Sequence, residues 1–198
     1  MADFLEDIKG IYRLKVPFDT VYTSVFLIKS ERGIILVDCA TTNTDVDECI
    51  IPALKRLGYS PSELKIIVLT HRHGDHAGGL ERILHYAPDI DVIKTPCQIT
   101  ESISTYPLPG HTLDSIGVFD KRSGTLISGD GMQGAGVDKY RCSLQSKEAY
   151  LETLKKITED KEIQNILFSH AYEPWNKDTA FGRIEVDDRI KDCLEYVC

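Results

Sequence analysis

Residues 70–79 concentrate side chains that bind metal ions, since the segment reads Thr-His-Arg-His-Gly-Asp-His-Ala-Gly-Gly. Imidazole nitrogen suits zinc, iron and similar ions, and a carboxylate adds negative charge to such a site. Because alternate side chains of an extended backbone point to the same side, we expect His71 and His73 to face one ion. Asp75 and His76 then lie at a turn, from which they reach a second ion beside the first. The glycines at positions 74, 78 and 79 are expected to permit the tight backbone that this convergence needs.

Three more candidate ligands lie next to predicted strands. His111 stands in Pro-Gly-His-Thr, Asp130 in Ser-Gly-Asp-Gly and His170 in Phe-Ser-His. Since each position is close to the end of an apolar strand, we expect all three to gather at one edge of the fold. The chain has six histidines. The sixth, His85, lies in a predicted helix and is interpreted as structural.

The strands that must position these ligands are short. Residues 11–16, 21–28 and 34–37 alternate in polarity or are rich in β-branched side chains, which predicts an antiparallel meander. A buried strand over residues 65–70 then leads directly into the histidine-rich segment. Further strands are predicted at residues 91–94, 115–119, 125–128 and 163–169.

Helices are predicted between these strands. Asn43 or Thr44 is expected to cap the first helix, Pro52 to delay its start or kink it, and Gly58 to end it. Strands followed by helix, strand and helix occur twice along the chain, which predicts two facing sheets with helices outside them. No linker rich in proline, glycine or serine divides the chain, so a single domain over residues 1–198 is expected. Further helices are predicted at residues 78–86, 147–157 and 184–197.

The chain resembles the metallo-β-lactamase fold hydrolases, which include glyoxalase II and the quorum-quenching lactonases. Residues 70–79, Gly-His-Thr at 110–112, Ser-Gly-Asp at 128–130 and Ser-His at 169–170 carry the resemblance. It implies an α/β fold, an αββα sandwich of two mixed β-sheets with outer helices. It also implies that Asp38, at the end of a strand, braces the metal loop. The resemblance implies one set of ligands for each of two ions and one bridging carboxylate: His71, His73 and His111; Asp75, His76 and His170; and Asp130.

A dinuclear centre of this kind implies hydrolysis. Two divalent ions roughly 3.5–4 Å apart lower the pKa of a shared water, and the bridging hydroxide attacks a carbonyl or phosphoryl group. Zinc is the expected metal, with iron or manganese as alternatives. The expected substrate is a small ester, thioester, lactone or phosphoester. Asp75 is interpreted as the catalytic residue that handles the proton.

Candidate substrate contacts follow Asp130 in a glycine-rich stretch. Tyr140 could donate a hydrogen bond to an oxyanion, and Arg141 could bind an anionic substrate tail. The alternative is a plain connecting loop with solvated charges.

A second function stays open, namely oxidoreduction by a single iron, as in the related persulfide dioxygenases. Those enzymes hold the iron with two histidines and one aspartate, and this chain could supply such a set from His71, His111 and Asp130. The additional candidate ligands favour two ions. A metal-binding protein without catalytic activity is a third interpretation, which the complete set of ligands makes less favoured. Glyoxalase II carries a further helical domain, whereas only 28 residues (198 − 170) follow His170. A glutathione thioester is therefore a less favoured substrate.

Composition narrows the expected partners and location. With 23 Lys and Arg against 31 Asp and Glu, the net charge is −8, and an acidic chain repels phosphate backbones, so nucleic acid is not expected. No apolar run is long enough to span a membrane, and residues 1–9 lack the apolar stretch of a signal peptide. The six cysteines are scattered, which favours free thiols and a cytoplasmic location. A small-molecule substrate is the expected partner, and a homodimer is left open.

Overall fold

The computed structural model describes residues 2–18, 20–132, 143–171 and 176–197. It divides into two compact units, Met1–Lys94 and Thr95–Cys198. Each unit contains one mixed β-sheet with flanking helices. This arrangement confirms the predicted α/β class, while the single domain stays a prediction.

The sheet of the first unit has six strands in the order β1-β2-β3-β4-β5-β6. The first four strands form the predicted antiparallel meander, and β4 and β5 then pair in parallel, as do β5 and β6. Parallel neighbours need a crossover, which places the helices of this unit between β4 and β6 in the chain. The strands are β1 (Leu5–Ile8), β2 (Ile11–Phe18), β3 (Val21–Ser30), β4 (Gly33–Val37), β5 (Leu64–Val68) and β6 (Asp91–Ile93).

The helix after β4 starts one residue earlier than expected. Thr42, rather than Asn43 or Thr44, is the N-cap: its side chain accepts a hydrogen bond from the Asp45 amide, and the Asp45 carboxylate accepts one from Thr42. The start is not delayed by Pro52, which lies in the first turn of α2, directly after a π-helical segment. The helical segments are α1 (Asn43–Asp45), the π segment (Val46–Ile50), α2 (Ile51–Arg56), a 3-10 helix (Pro61–Glu63), α3 (Gly74–Ala77) and α4 (Leu80–Tyr86).

The sheet of the second unit has five strands in the order β11-β10-β9-β8-β7, of which only the pair β9 and β10 is parallel. The crossover between them contains α5, whose side chains Tyr150, Leu154 and Ile157 are buried on one face of the helix. The elements are β7 (Ile103–Pro107), β8 (Ile116–Asp120), β9 (Thr125–Gly129), α5 (Lys147–Glu159), β10 (Asn165–Phe168), β11 (Thr179–Phe181) and α6 (Gly182–Val197).

Three strands were not predicted: β1, β7 and β11. All three lie at an edge of their sheet and have three to five residues. So short an edge strand shows too few alternations of polarity to be recognised.

Within the described residues, no helix combines the length and the apolar character needed to cross a membrane.

Each unit has its own core of aliphatic and aromatic side chains. In the first unit, strand residues such as Leu14, Leu27 and Leu36 pack with helix residues such as Ile50 and Leu54. In the second unit, the buried face of α5 packs with strand residues such as Leu126 and Phe168, and with Val186 and Ile190 of α6. Rigid, close-packed cores fix the strand ends, which carry the candidate ligands.

Candidate metal centre

The first pair of candidate ligands lies between β5 and α3. His71 is buried and His73 is exposed, and the Nε2 atom of His71 lies 3.0 Å from the Nδ1 atom of His73. Two imidazole nitrogens bound to one ion at 2.0–2.1 Å lie about 3 Å apart. The structure therefore brings together the two side chains that were expected to face one ion.

The second pair begins in α3. The Nε2 atom of the buried His76 lies 3.3 Å from the Oδ2 atom of Asp75. The same carboxylate oxygen accepts a hydrogen bond of 3.3 Å from the hydroxyl of Thr23, a fully buried residue of β3. Ligand atoms of His71 also lie within 4.8 Å of those of His76. These spacings suit nitrogen and oxygen ligands of neighbouring ions.

Asp38 fixes the orientation of His76. Asp38 is fully buried at the end of β4. It accepts hydrogen bonds from the Thr70 amide (2.8 Å), the Thr70 hydroxyl (2.8 Å) and Nδ1 of His76 (2.7 Å). Because a carboxylate only accepts, the proton of the neutral imidazole lies on Nδ1, and Nε2 is left with the lone pair that a metal needs. As the family resemblance implied, Asp38 lies behind the candidate ligands and holds the segment from Thr70 to His76 by hydrogen bonds.

Gly78 and Gly79 are required for close packing rather than for an unusual backbone angle. A Cβ atom on Gly78 would lie 1.9 Å from the Thr41 carbonyl oxygen, and one on Gly79 would lie 2.2 Å from the Cys39 carbonyl oxygen. Gly74, by contrast, has open space around the same position. The loop after β4 can therefore lie directly against the start of α4.

The Cys39 thiol beside this contact is a structural donor. It is buried and donates to the His76 carbonyl oxygen at 3.1 Å. Burial, with a smaller contribution from the negative charge of Asp38, raises the pKa of the Cys39 thiol far above its ordinary value. The thiol therefore stays protonated near neutral pH, whereas a metal ligand must be a thiolate.

The second unit places the other three candidates around one carboxylate. His111 lies in the loop after β7, Asp130 directly follows β9, and His170 lies just beyond β10. The Nε2 atom of His170 is 3.3 Å from Oδ1 of Asp130, and the Nε2 atom of His111 is 3.7 Å from Oδ2. A carboxylate that presents a different oxygen to each of two imidazoles has the arrangement of a bridging ligand.

A backbone carbonyl fixes the orientation of His111. Nδ1 of His111 donates to the Ser143 carbonyl oxygen at 2.8 Å. Because a carbonyl only accepts, Nε2 carries the lone pair and faces Asp130. His76 in the first unit and His111 in the second are therefore held in the tautomer that leaves Nε2 free to bind a metal. The nitrogen and oxygen donors of these side chains fit zinc, iron or manganese.

Among the described residues, sequence reasoning missed three that contact the side chains of candidate ligands: Thr70, Thr23 and Ser143. Thr70, next to His71, could have been found from its position in the motif. Thr23 and Ser143 lie 52 and 32 residues from their partners, and no local pattern marks them. The candidate substrate contacts Tyr140 and Arg141 lie outside the described residues and stay predictions.

Comparison with known proteins gives similarity to one superfamily. Residues 18–94 match the family model described as "Metallo-beta-lactamase superfamily". The chain is 28% identical over 176 residues to the hydroxyacylglutathione hydrolase of Vibrio cholerae, covering 75% of this chain and 68% of the relative.

The same fold occurs in solved structures. A metallo-β-lactamase from Erythrobacter litoralis has a TM-score of 0.76 at 19% identity, covering 98% of this chain and 96% of its own. The metallo-β-lactamase FIM-1 from Pseudomonas aeruginosa, in a mono-zinc form, has a TM-score of 0.77 at 16% identity, covering 99% and 96%. The predicted fold and the resemblance given by the motifs are therefore confirmed.

Proposed function

We propose that this protein is a dinuclear metal-dependent hydrolase of a small ester, thioester, lactone or phosphoester, because residues 18–94 match the metallo-β-lactamase superfamily model and the fold resembles that of a solved metallo-β-lactamase. The similarity to a protein named as a hydrolase supports the reaction class. The histidine and aspartate groups able to hold a metal support the mechanism.

The Asp130 carboxylate carries the case for two ions rather than one. Its two oxygens face different histidines, His170 through Oδ1 and His111 through Oδ2. A mononuclear site needs only one oxygen of such a carboxylate. We propose that Asp130 bridges two ions held by two ligand sets, His71, His73 and His111 for one ion and Asp75, His76 and His170 for the other.

Two bound divalent ions would supply Lewis acidity and an activated water near neutral pH. The side chains of the chain then orient the reaction. Asp38 keeps the proton of His76 on Nδ1, so that the lone pair on Nε2 would be available to hold an ion. The Asp75 carboxylate, held by Thr23, is the group placed to accept that proton and pass it to the leaving group.

The substrate class is tested most directly with thioesters. The Vibrio relative is named for a hydroxyacylglutathione substrate, which places a thioester of that kind in the panel beside simple esters, lactones and phosphoesters. Turnover of one class above the others would define the substrate by its leaving group.

Metal content tests the proposal first. We expect protein purified without added metal to contain about two zinc ions per chain by elemental mass spectrometry, or zinc with iron or manganese. One iron per chain, with oxygen uptake on a persulfide substrate, would replace the hydrolase with a dioxygenase. Protein that binds no metal, even after reconstitution, would refute the proposal.

Asp75→Asn tests the proposed proton acceptor. The amide keeps one oxygen as a ligand but cannot accept a proton, so most of the bound metal should remain while most of the turnover is lost. Turnover near that of the wild-type protein would remove Asp75 from the mechanism.

A further inference from the structure

The turn that carries His111, residues 110–113, is held by a second segment, residues 143–146, which we call the clamp. The Ser143 carbonyl accepts from Nδ1 of His111. The Gln145 amide donates to the His111 carbonyl oxygen at 3.2 Å, and the Ser146 amide donates to the Gly110 carbonyl oxygen at 3.1 Å. The Leu113 amide in turn donates to Oε1 of Gln145 at 2.8 Å.

One of these four clamp bonds uses a side chain of the clamp, namely that of Gln145. Its backbone amide holds the carbonyl of His111, and its side-chain oxygen holds the amide two residues later. Gln145 is thus hydrogen-bonded to the turn at two points, at His111 itself and two residues later. We propose that Gln145 is a positioning residue for metal binding, which fixes the His111 turn so that the imidazole Nε2 faces the metal.

The beginning of the turn is anchored without Gln145. The Thr153 hydroxyl of α5 donates to the Pro109 carbonyl oxygen at 2.7 Å. Gly110 has a φ of 151°, and a Cβ atom there would lie 2.6 Å from the Tyr150 side chain. The hydrogen bond and the close approach of Gly110 to Tyr150 fix the chain just before His111 against α5.

At the end of the turn, the Leu113 side chain is largely exposed and does not anchor the backbone by packing. The Leu113 side chain is 58% exposed, so burial of this side chain contributes little to holding the backbone after His111. Within the residues that the structure describes, this end of the turn is hydrogen-bonded to residues 114 and 115 and to the Gln145 side chain of the clamp. Removing that bond is expected to loosen the imidazole rather than the core of the unit.

This inference rests on the proposed function, because it requires His111 to bind a metal. Loss of a contact that orients a metal ligand typically weakens metal binding by 10–100-fold. Gln145 acts on His111 through the backbone, so we expect Gln145→Ala to weaken the binding of one of the two ions about 10-fold, at the lower end of that range.

Cobalt binding to the full-length, metal-free protein tests this effect without any assay of activity. Cobalt(II) is titrated against the wild-type protein and the variants, and binding is followed by visible absorption. Gln145→Glu keeps an oxygen that accepts from the Leu113 amide and should restore affinity to within about 2-fold.

Gln164→Ala is the matched control. Gln164 is also exposed, and its side chain also makes a hydrogen bond to the backbone, donating to the Lys161 carbonyl oxygen at 2.9 Å. It lies just before β10, outside the clamp. This variant should bind cobalt like the wild-type protein, and the metal-free forms of all four proteins should melt at similar temperatures.

The outcomes separate the inference from the function on which it rests. Wild-type protein that binds two cobalt ions, with Gln145→Ala unchanged in affinity, would overturn the role of Gln145 and leave the hydrolase proposal standing. A loss shared equally by Gln164→Ala, or a loss that Gln145→Glu does not restore, would also overturn the role. Wild-type protein that binds no cobalt would overturn the proposed function and this inference together.

Discussion

Replacing Asp38 by asparagine tests whether this residue sets the tautomer of His76. Asparagine has the size of aspartate and tolerates the left-handed φ of 63° found at this position. One orientation of the amide places its NH₂ group toward Nδ1 of His76, which lies 2.7 Å from Oδ2 of the native carboxylate. The other orientation places the NH₂ group toward the Thr70 amide, so that two donors face each other. The first orientation avoids that conflict if His76 moves its proton to Nε2.

The size of the effect follows from the buried donors. To bind an ion through Nε2, His76 in Asp38→Asn must return its proton to Nδ1, where it faces the NH₂ group of the amide. A buried donor left without an acceptor costs about 1–3 kcal/mol. At about 1.4 kcal/mol for each factor of ten, metal binding weakens by about 5- to 150-fold. The free energy of unfolding of the metal-free protein should fall by about 1–2 kcal/mol, because neutral hydrogen bonds replace charge-assisted ones.

Three measurements check this reasoning. Competition with a chelator gives the metal affinity, ¹⁵N NMR of the imidazole gives the tautomer of His76, and urea unfolding gives the stability. We expect weaker binding together with a protonated Nε2 in the metal-free variant. If Asp38→Asn binds metal like the wild-type protein and keeps the proton on Nδ1, the proposed role of Asp38 is wrong.

Three further predictions concern packing, hydrogen bonding and pH. Thr23→Val removes the hydroxyl that donates to Asp75 and should weaken binding of the ion held by Asp75 about 10-fold, or about 1.4 kcal/mol, in chelator competition. Gly79→Ala forces a backbone contact and should lower the free energy of unfolding by about 1–3 kcal/mol in urea. Burial raises the pKa of the Cys193 thiol from 9.0 to about 11. Its contribution to stability is therefore complete below pH 9, and about 2 kcal/mol of it is lost by pH 11, so Cys193→Ala should flatten the pH dependence of unfolding in this range.

Matched variants separate these causes from general damage. Thr23→Ser keeps the hydroxyl and should retain metal affinity; a loss equal to that of Thr23→Val would contradict the hydrogen-bond explanation. Gly74→Ala adds a Cβ atom where nothing lies within 4 Å, and a loss of stability like that of Gly79→Ala would rule out the close contact as the cause. Cys97 is exposed, so Cys97→Ala should leave the alkaline loss of stability unchanged. A pH dependence in Cys193→Ala as steep as in the wild-type protein would exclude that thiol.

The positions of the candidate ligands were predictable because local rules govern them. Alternation in an extended segment brought His71 and His73 to the same side, and their nitrogens lie 3.0 Å apart. Asp130 and His170 were expected at the ends of buried strands and follow β9 and β10. The predicted cap of the first helix was wrong by one residue. Several neighbouring polar side chains can accept a hydrogen bond from the amides of the first turn, and the sequence does not rank them.

By itself, the sequence determined which residues can bind a metal and which strands carry them, since both depend on residue type and short periodicity. Only the tertiary structure decided which ring nitrogen of His76 and of His111 is free to bind. Asp38 meets His76 across 38 residues, and the Ser143 carbonyl meets His111 across 32 residues. A backbone carbonyl is present at every residue, so no sequence pattern distinguishes the one that accepts from a ligand. Strand pairing and the packing of α5 bring these partners within hydrogen-bonding distance, and that distance fixes the tautomer on which the proposed chemistry depends.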